Sequence, residues 1–180
     1  MKITKTKIDN CFIIRPTEFN DERGSLVKYM NEDYSSFFNN QTINQINISK
    51  NKIKGTFRGM HSQIQPYQEC KLISCLSGSF VDFFLDLRKD SPTFLKYDSV
   101  ELNENDNKQL ILGKGIAHGF FTLQNDTHAM YHHNEIYKKE SEFCFRFNDP
   151  KVNIAIPLKI NCISDKDLSY PDLNKNFKGL

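Results

Sequence analysis

The chain is punctuated at short, regular intervals, and this constrains its fold more than anything else. From Lys71 onward, apolar runs recur between turn signals at roughly ten-residue spacing. "KLISCLSG" leads into "SFVDFFLDL", the turn "RKDSP" and then "TFLKYDSVEL". After the loop "NENDN" come "KQLILG", "IAHGFFTL", the turn "QND" and "THAMYHHNEIY". Runs of this length, rich in Ile, Val, Phe, Tyr and Leu, predict strands and an all-β sandwich or barrel. In "FVDFFLDLR", Val81, Phe83, Leu85 and Leu87 fall on one face of a strand, and Asp82, Phe84, Asp86 and Arg88 on the other. The second face is mixed, which suits the lining of a cavity or a subunit contact. Helical signals are few. "NEDYSSFFNN" predicts one short helix capped at Asn31 or Asp33, and "KKESEF" a helical turn. The polar end "PDLNKNFKGL" reads as a loosely held tail. No repeat or linker divides the chain, so residues 1–180 are expected to form a single domain.

Composition narrows the function. A net charge of +2, with basic and acidic residues interspersed, gives no basic block for nucleic acid, so any anion site must be local. No apolar run is long enough for a bilayer span or a signal peptide, which predicts a cytoplasmic protein without a membrane partner. Cys11, Cys70, Cys75, Cys144 and Cys162 are odd in number and form no CxxC, which favours free thiols over a disulfide framework or a structural zinc site.

The segment "FRGMHSQ" places Arg58 three residues before His61. Regular alternation would put them on opposite faces, and Gly59 permits the twist or bulge that would bring them together. A lone strand histidine is usually a packed residue. Beside an arginine it can also serve as the proton carrier of an anion-holding pocket. Lys71 opens the next strand and could reach the same pocket. His118 sits in "GKGIAHGFF", and Tyr131 reads as a half-buried strand tyrosine. His128, His132 and His133 read as exposed. No HxH is present, which argues against a metal.

Five segments in register resemble one family. "FRGMHSQ", "KLISCLSGSFVDFFLDLRKDSPTF", "LILGKGIAHGFFTL", "YHHNEIYKKESEFCFRFNDP" and "IPLKINCISDKDL" are similar, in order and spacing, to the dTDP-4-dehydrorhamnose 3,5-epimerases. The resemblance implies a double-stranded β-helix (a jelly-roll cupin), a homodimer, and no metal or other cofactor. It implies inversion at C3 and C5 of a nucleotide-linked 4-keto-6-deoxy sugar, feeding surface polysaccharide such as lipopolysaccharide or capsule. By the same resemblance His61 is the catalytic base, Asp167 its orienting carboxylate, Tyr131 the acid across the sugar ring, and Lys71 the group facing the C4 oxygen. Arg58, His118, Tyr137 and Glu142 match substrate-pocket positions. Gln45 and Asn47 match a strand lining the nucleotide site. Arg23, in "DERG", matches a diphosphate contact lent by the neighbouring subunit. The residue types suit an enolate mechanism: a base near neutral pKa, a carboxylate on its other nitrogen, a cation at the developing oxyanion and an acid on the opposite face. In "DERGSLVKYM", Lys28 stands where the family carries a glutamate. The carrier therefore stays open between dTDP and GDP, and the sugar between a hexose and a heptose. Epimerisation at C3 alone and a non-catalytic sugar-nucleotide-binding cupin are the remaining alternatives.

Overall fold

The computed structural model describes residues 1–38 and 40–180. Strands dominate, every strand pairing is antiparallel, and the architecture is the expected all-β jelly roll. In chain order the strands are β1 (Lys2–Lys5), β2 (Cys11–Arg15), β3 (Thr17–Asp21), β4 (Gly24–Lys28), β5 (Gln45–Asn51), β6 (Phe57–Gln63) and β7 (Lys71–Ser77). They continue with β8 (Ser79–Asp86), β9 (Tyr97–Asn103), β10 (Gln109–Leu112), β11 (Ile116–Thr122), β12 (Thr127–His133) and β13 (Glu142–Cys144). One sheet runs β1-β2-β10-β7-β12-β5 and the other β13-β6-β11-β8-β9, with β3-β4 as a separate hairpin.

The alternation in β8 shows how the layers form. Phe80 and Phe84 point inward and join Ile73, Leu110, Phe120 and Tyr131 in the core between the sheets. Phe83, Leu85 and Leu87 point outward, yet they are buried as well, under a strap made by the C-terminal segment. Both faces of β8 are therefore covered, which explains why large apolar residues occupy both alternations of this strand. The outer face of the other sheet is covered by a 3₁₀ segment, Glu32–Phe38, whose Tyr34 and Phe38 pack on Leu72 and Ile111. The helix expected there thus forms as 3₁₀ rather than α, with the Asn31 side chain accepting from the Asp33 amide. The turn expected at Lys138–Phe143 is likewise 3₁₀, over Lys139–Ser141.

The C-terminal tail departs from expectation. It is docked: Leu173 is buried in the outer cluster, with Phe177 and Leu180 packed beside it. The Leu180 amide donates to the Leu87 carbonyl at 2.7 Å, and the buried Asp149 carboxylate accepts from the Leu173 amide. Polar neighbours hide three apolar residues at three- and four-residue spacing. Leu173→Ala is expected to cost about 2–5 kcal/mol, and Asn176→Ala within about 0.5 kcal/mol. Chemical denaturation of the two variants would show the difference. The thiols are free, with Cys11, Cys70 and Cys75 buried, and burial pushes Cys11 and Cys75 up to about 12.

Candidate active site

A cavity of about 570 Å³ opens between the two sheets. Its walls include nine of the residues singled out from sequence: Gln45, Asn47, Arg58, His61, Lys71, His118, Tyr131, Tyr137 and Glu142. His61 and His118 come from the five-stranded sheet, and Lys71 and Tyr131 from the six-stranded one.

The bulge that Arg58 and His61 require is present. His118 pairs with His61 and Phe120 with Arg58, so Gly59 and Met60 stand opposite Gly119 alone. Phe57 and Met60 turn into the outer cluster, leaving Arg58 and His61 on the cavity side. Arg58 is aimed by its Nε, which donates to Asn51 Oδ1 at 2.8 Å.

Asp167 arrives from a distant part of the chain. The Phe57 amide donates to the Cys162 carbonyl at 2.8 Å, laying this segment beside β6. Ser164 then caps a short helix, α1 (Asp165–Leu168), by accepting from the Asp167 amide at 3.0 Å. Asp167 Oδ1 ends 2.9 Å from His61 Nε2. Burial alone would raise the Asp167 carboxyl, but the hydrogen bond and charge of His61 outweigh it and hold it below the usual range. An ionised Asp167 makes His61 Nε2 the protonated nitrogen and leaves Nδ1 as the basic one. Tyr170 packs edge-on against the His61 ring, with centroids 5.8 Å apart.

Tyr131 is buried, and its phenol is pushed well up by burial first and then by Asp82, so it is a protonated acid. Its ring lies 5.8 Å from that of His118, whose Nδ1 is 3.1 Å from Asp82 Oδ2. Burial pushes the Asp82 carboxyl up and the His118 imidazole down.

His132 and His133 are buried, contrary to the exposed reading. His133 shares a strand face with Tyr131, two residues away, and its Nδ1 lies 3.0 Å from Glu69 Oε2. The other Glu69 oxygen is 2.9 Å from Lys71 Nζ. Sequence reasoning missed Glu69, His133, Asp82 and Tyr170. The two-residue alternation from Tyr131 and from Phe80 could have pointed to His133 and Asp82. Burial would raise the Glu69 carboxyl, but the Lys71 charge and the His133 hydrogen bond hold it at about 2. A carboxylate depressed in the folded state stabilises above its unfolded pKa and loses that effect as pH falls through the folded value. The stability gap between wild type and Glu69→Gln is therefore expected to be full above about pH 4.5 and to close toward pH 2, as thermal melts across that window would register.

At the rim, Glu142 is paired with Lys166 at 2.7 Å, and Gln45 accepts from the Tyr137 amide at 3.0 Å. Arg23 does not reach this cavity. It lies at the exposed tip between β3 and β4, bound to Asp21 at 2.6 Å. Among the described residues no group of three or more His, Cys, Asp or Glu is arranged to hold a metal, and no helix is long and apolar enough to cross a membrane.

A family model for dTDP-4-dehydrorhamnose 3,5-epimerase matches residues 5–175. The dTDP-4-dehydrorhamnose 3,5-epimerase of Shigella flexneri is 34% identical over 170 residues, 94% of either chain. The crystal structure of the enzyme of that name from Elizabethkingia anophelis superposes with a TM-score of 0.90 at 36% identity, covering 98% of both chains. The Legionella pneumophila dTDP-6-deoxy-D-glucose-3,5-epimerase, in complex with dTDP-4-keto-L-rhamnose, gives 0.88 at 33% identity over 95% of this chain and 92% of that one.

Proposed function

We propose the function from one premise: this chain belongs to the dTDP-4-dehydrorhamnose 3,5-epimerase family, and is an isomerase. In this reading it inverts C3 and C5 of a dTDP-linked 4-keto-6-deoxy sugar without a cofactor. The observation that carries the reading is the placement of unlike proton carriers on facing walls. His61, backed by Asp167, projects from one sheet, and Tyr131 projects from the other beside Lys71.

The chemistry follows from these states. A proton α to the C4 ketone passes to His61, and the electron pair moves to the C4 oxygen as an enolate. Asp167 stabilises the imidazolium that forms. The Lys71 ammonium meets the charge on the oxygen. Tyr131, held as a phenol, returns a proton from the opposite face, and exchange with solvent resets both groups. The same sequence applies at C3 and at C5, both α to the ketone. Arg58 and His118 hold the sugar, while Gln45, Asn47, Tyr137 and Glu142 line the way toward the nucleotide. The dTDP-sugar complex of the Legionella relative supports the same carrier here.

The reading includes a homodimer. Arg23, Phe19 and Leu26 are exposed on the β3-β4 hairpin, and β5 is an open sheet edge carrying exposed Ile46 and Ile48. A neighbour's hairpin would cover such an edge and bring Arg23 to the diphosphate. It also carries the expectations of a cytoplasmic site and of a product used for lipopolysaccharide or capsule.

NMR in D₂O, with dTDP- and GDP-linked 4-keto-6-deoxy sugars offered in parallel, tests the function. Deuterium at both C3 and C5 of the dTDP sugar is the expected result. Deuterium at C3 alone would make the protein a C3 epimerase, exchange only with GDP would change the carrier, and binding without exchange would make it a binding protein.

A further inference from the structure

Three histidine–carboxylate pairs face the cavity, and they differ in what else the carboxylate touches. Asp167 serves His61, and Asp82 serves His118. Glu69 is shared between two partners on neighbouring strands: Lys71 Nζ at 2.9 Å from Oε1, and His133 Nδ1 at 3.0 Å from Oε2. Gln63 Nε2 also approaches Oε2, at 3.3 Å. The carboxylate is thereby engaged at both oxygens and only 8% exposed, so it is not offered to a ligand. On its far side His133 Nε2 lies 3.4 Å from the Asn47 amide nitrogen, which ties the group to the edge strand.

We infer that Glu69 is the positioning residue for Lys71: clamped by His133 and Gln63, its carboxylate fixes the direction of the buried ammonium and supplies its counter-charge. The inference rests on the proposed role of Lys71 at the C4 oxygen. A lysine side chain has four rotatable bonds and a point charge, so its aim must come from its partner. With its side chain 6% exposed, Lys71 has little water to replace that partner. The titratable groups lining the cavity with it include His61 on β6, His118 on β11, and Tyr131 and His133 on β12, with Asp82 of β8 held by His118. Asp82 is turned to His118, at 3.1 Å from its Nδ1, whereas Glu69 lies 2.9 Å from the Lys71 ammonium.

The test is a cycle of Glu69→Gln, Lys71→Met and the double variant, read as kcat and KM. Lys71→Met is expected to lose about 10²-fold or more in kcat, the scale of one oxyanion partner. Glu69→Gln is expected to lose about 10-fold in kcat, with KM nearly unchanged. In the Lys71→Met background Glu69→Gln should add less than about twofold, since the two residues act as a unit. Glu69→Asp keeps the charge and withdraws it by one methylene. It should lower kcat with KM nearly unchanged, and it reports on the inference even if Glu69→Gln folds poorly.

A Lys71→Met loss beside a wild-type kcat in both Glu69 variants would overturn the inference and leave the role of Lys71 standing. A full Glu69→Gln penalty in the Lys71→Met background would overturn it as well. A silent Lys71→Met would remove the reading beneath it.

Discussion

His61→Asn is expected to abolish deuterium incorporation at both carbons and to lower kcat by about 10²–10⁴-fold, the range for removing a general base. Asparagine is too short to reach Asp167 as Nε2 does, so that bond goes with the base, but the Ser164 cap still holds the Asp167 amide and the short helix. The His61 side chain is 35% exposed and adds little to the buried core. The variant should therefore melt close to wild type by circular dichroism. The remaining activity would be that of binding and of Lys71. Near-wild-type turnover would show that the base is another residue.

Gly59→Ala is expected to remove about 3 kcal/mol of stability and most of the activity together. Gly59 has φ of +136°, a region that side chains rarely enter, and an added Cβ would collide with the Gly119 Cα and meet the His118 carbonyl at 3.0 Å. The collision falls on the bulge that turns Arg58 and His61 to the same side. The backbone can relieve it only by moving β6 away from β11, which carries His118. Denaturant titration and turnover on the same preparation would show the paired loss. A stable, fully active Gly59→Ala would mean that the bulge is not what aligns the site.

The parts of the molecule that were legible in the sequence share a local cause. Two-residue alternation and turn residues mark β7, β8, β10, β11 and β12, because a strand reports its faces within its own few residues. Gly59 advertised its bulge for the same reason. Its neighbours Arg58 and His61 were found as site residues by type and by resemblance, and the structure brings them to one cavity. What was missed depends on distant partners. His133 looks like a surface histidine until β5 and β7 close over it on either side. Glu69 looks like a loop acid until Lys71 and His133 converge on it. The tail was misread because its lysines and asparagines dominate the local composition. Only the groove it fills, lined by Phe83, Leu85 and Leu87, shows why Leu173 and Phe177 are there.

The distance along the chain between His61 and Asp167 has a kinetic consequence. The two are 106 residues apart, and the cavity around them draws on both sheets. No segment of the chain can assemble the site by itself, and topologies built on such remote pairings cross their barrier slowly. During refolding from denaturant, secondary structure should return before turnover does. Recovered turnover would then serve as a clock for the moment when the two sheets have met and the C-terminal strap has carried Asp167 into place.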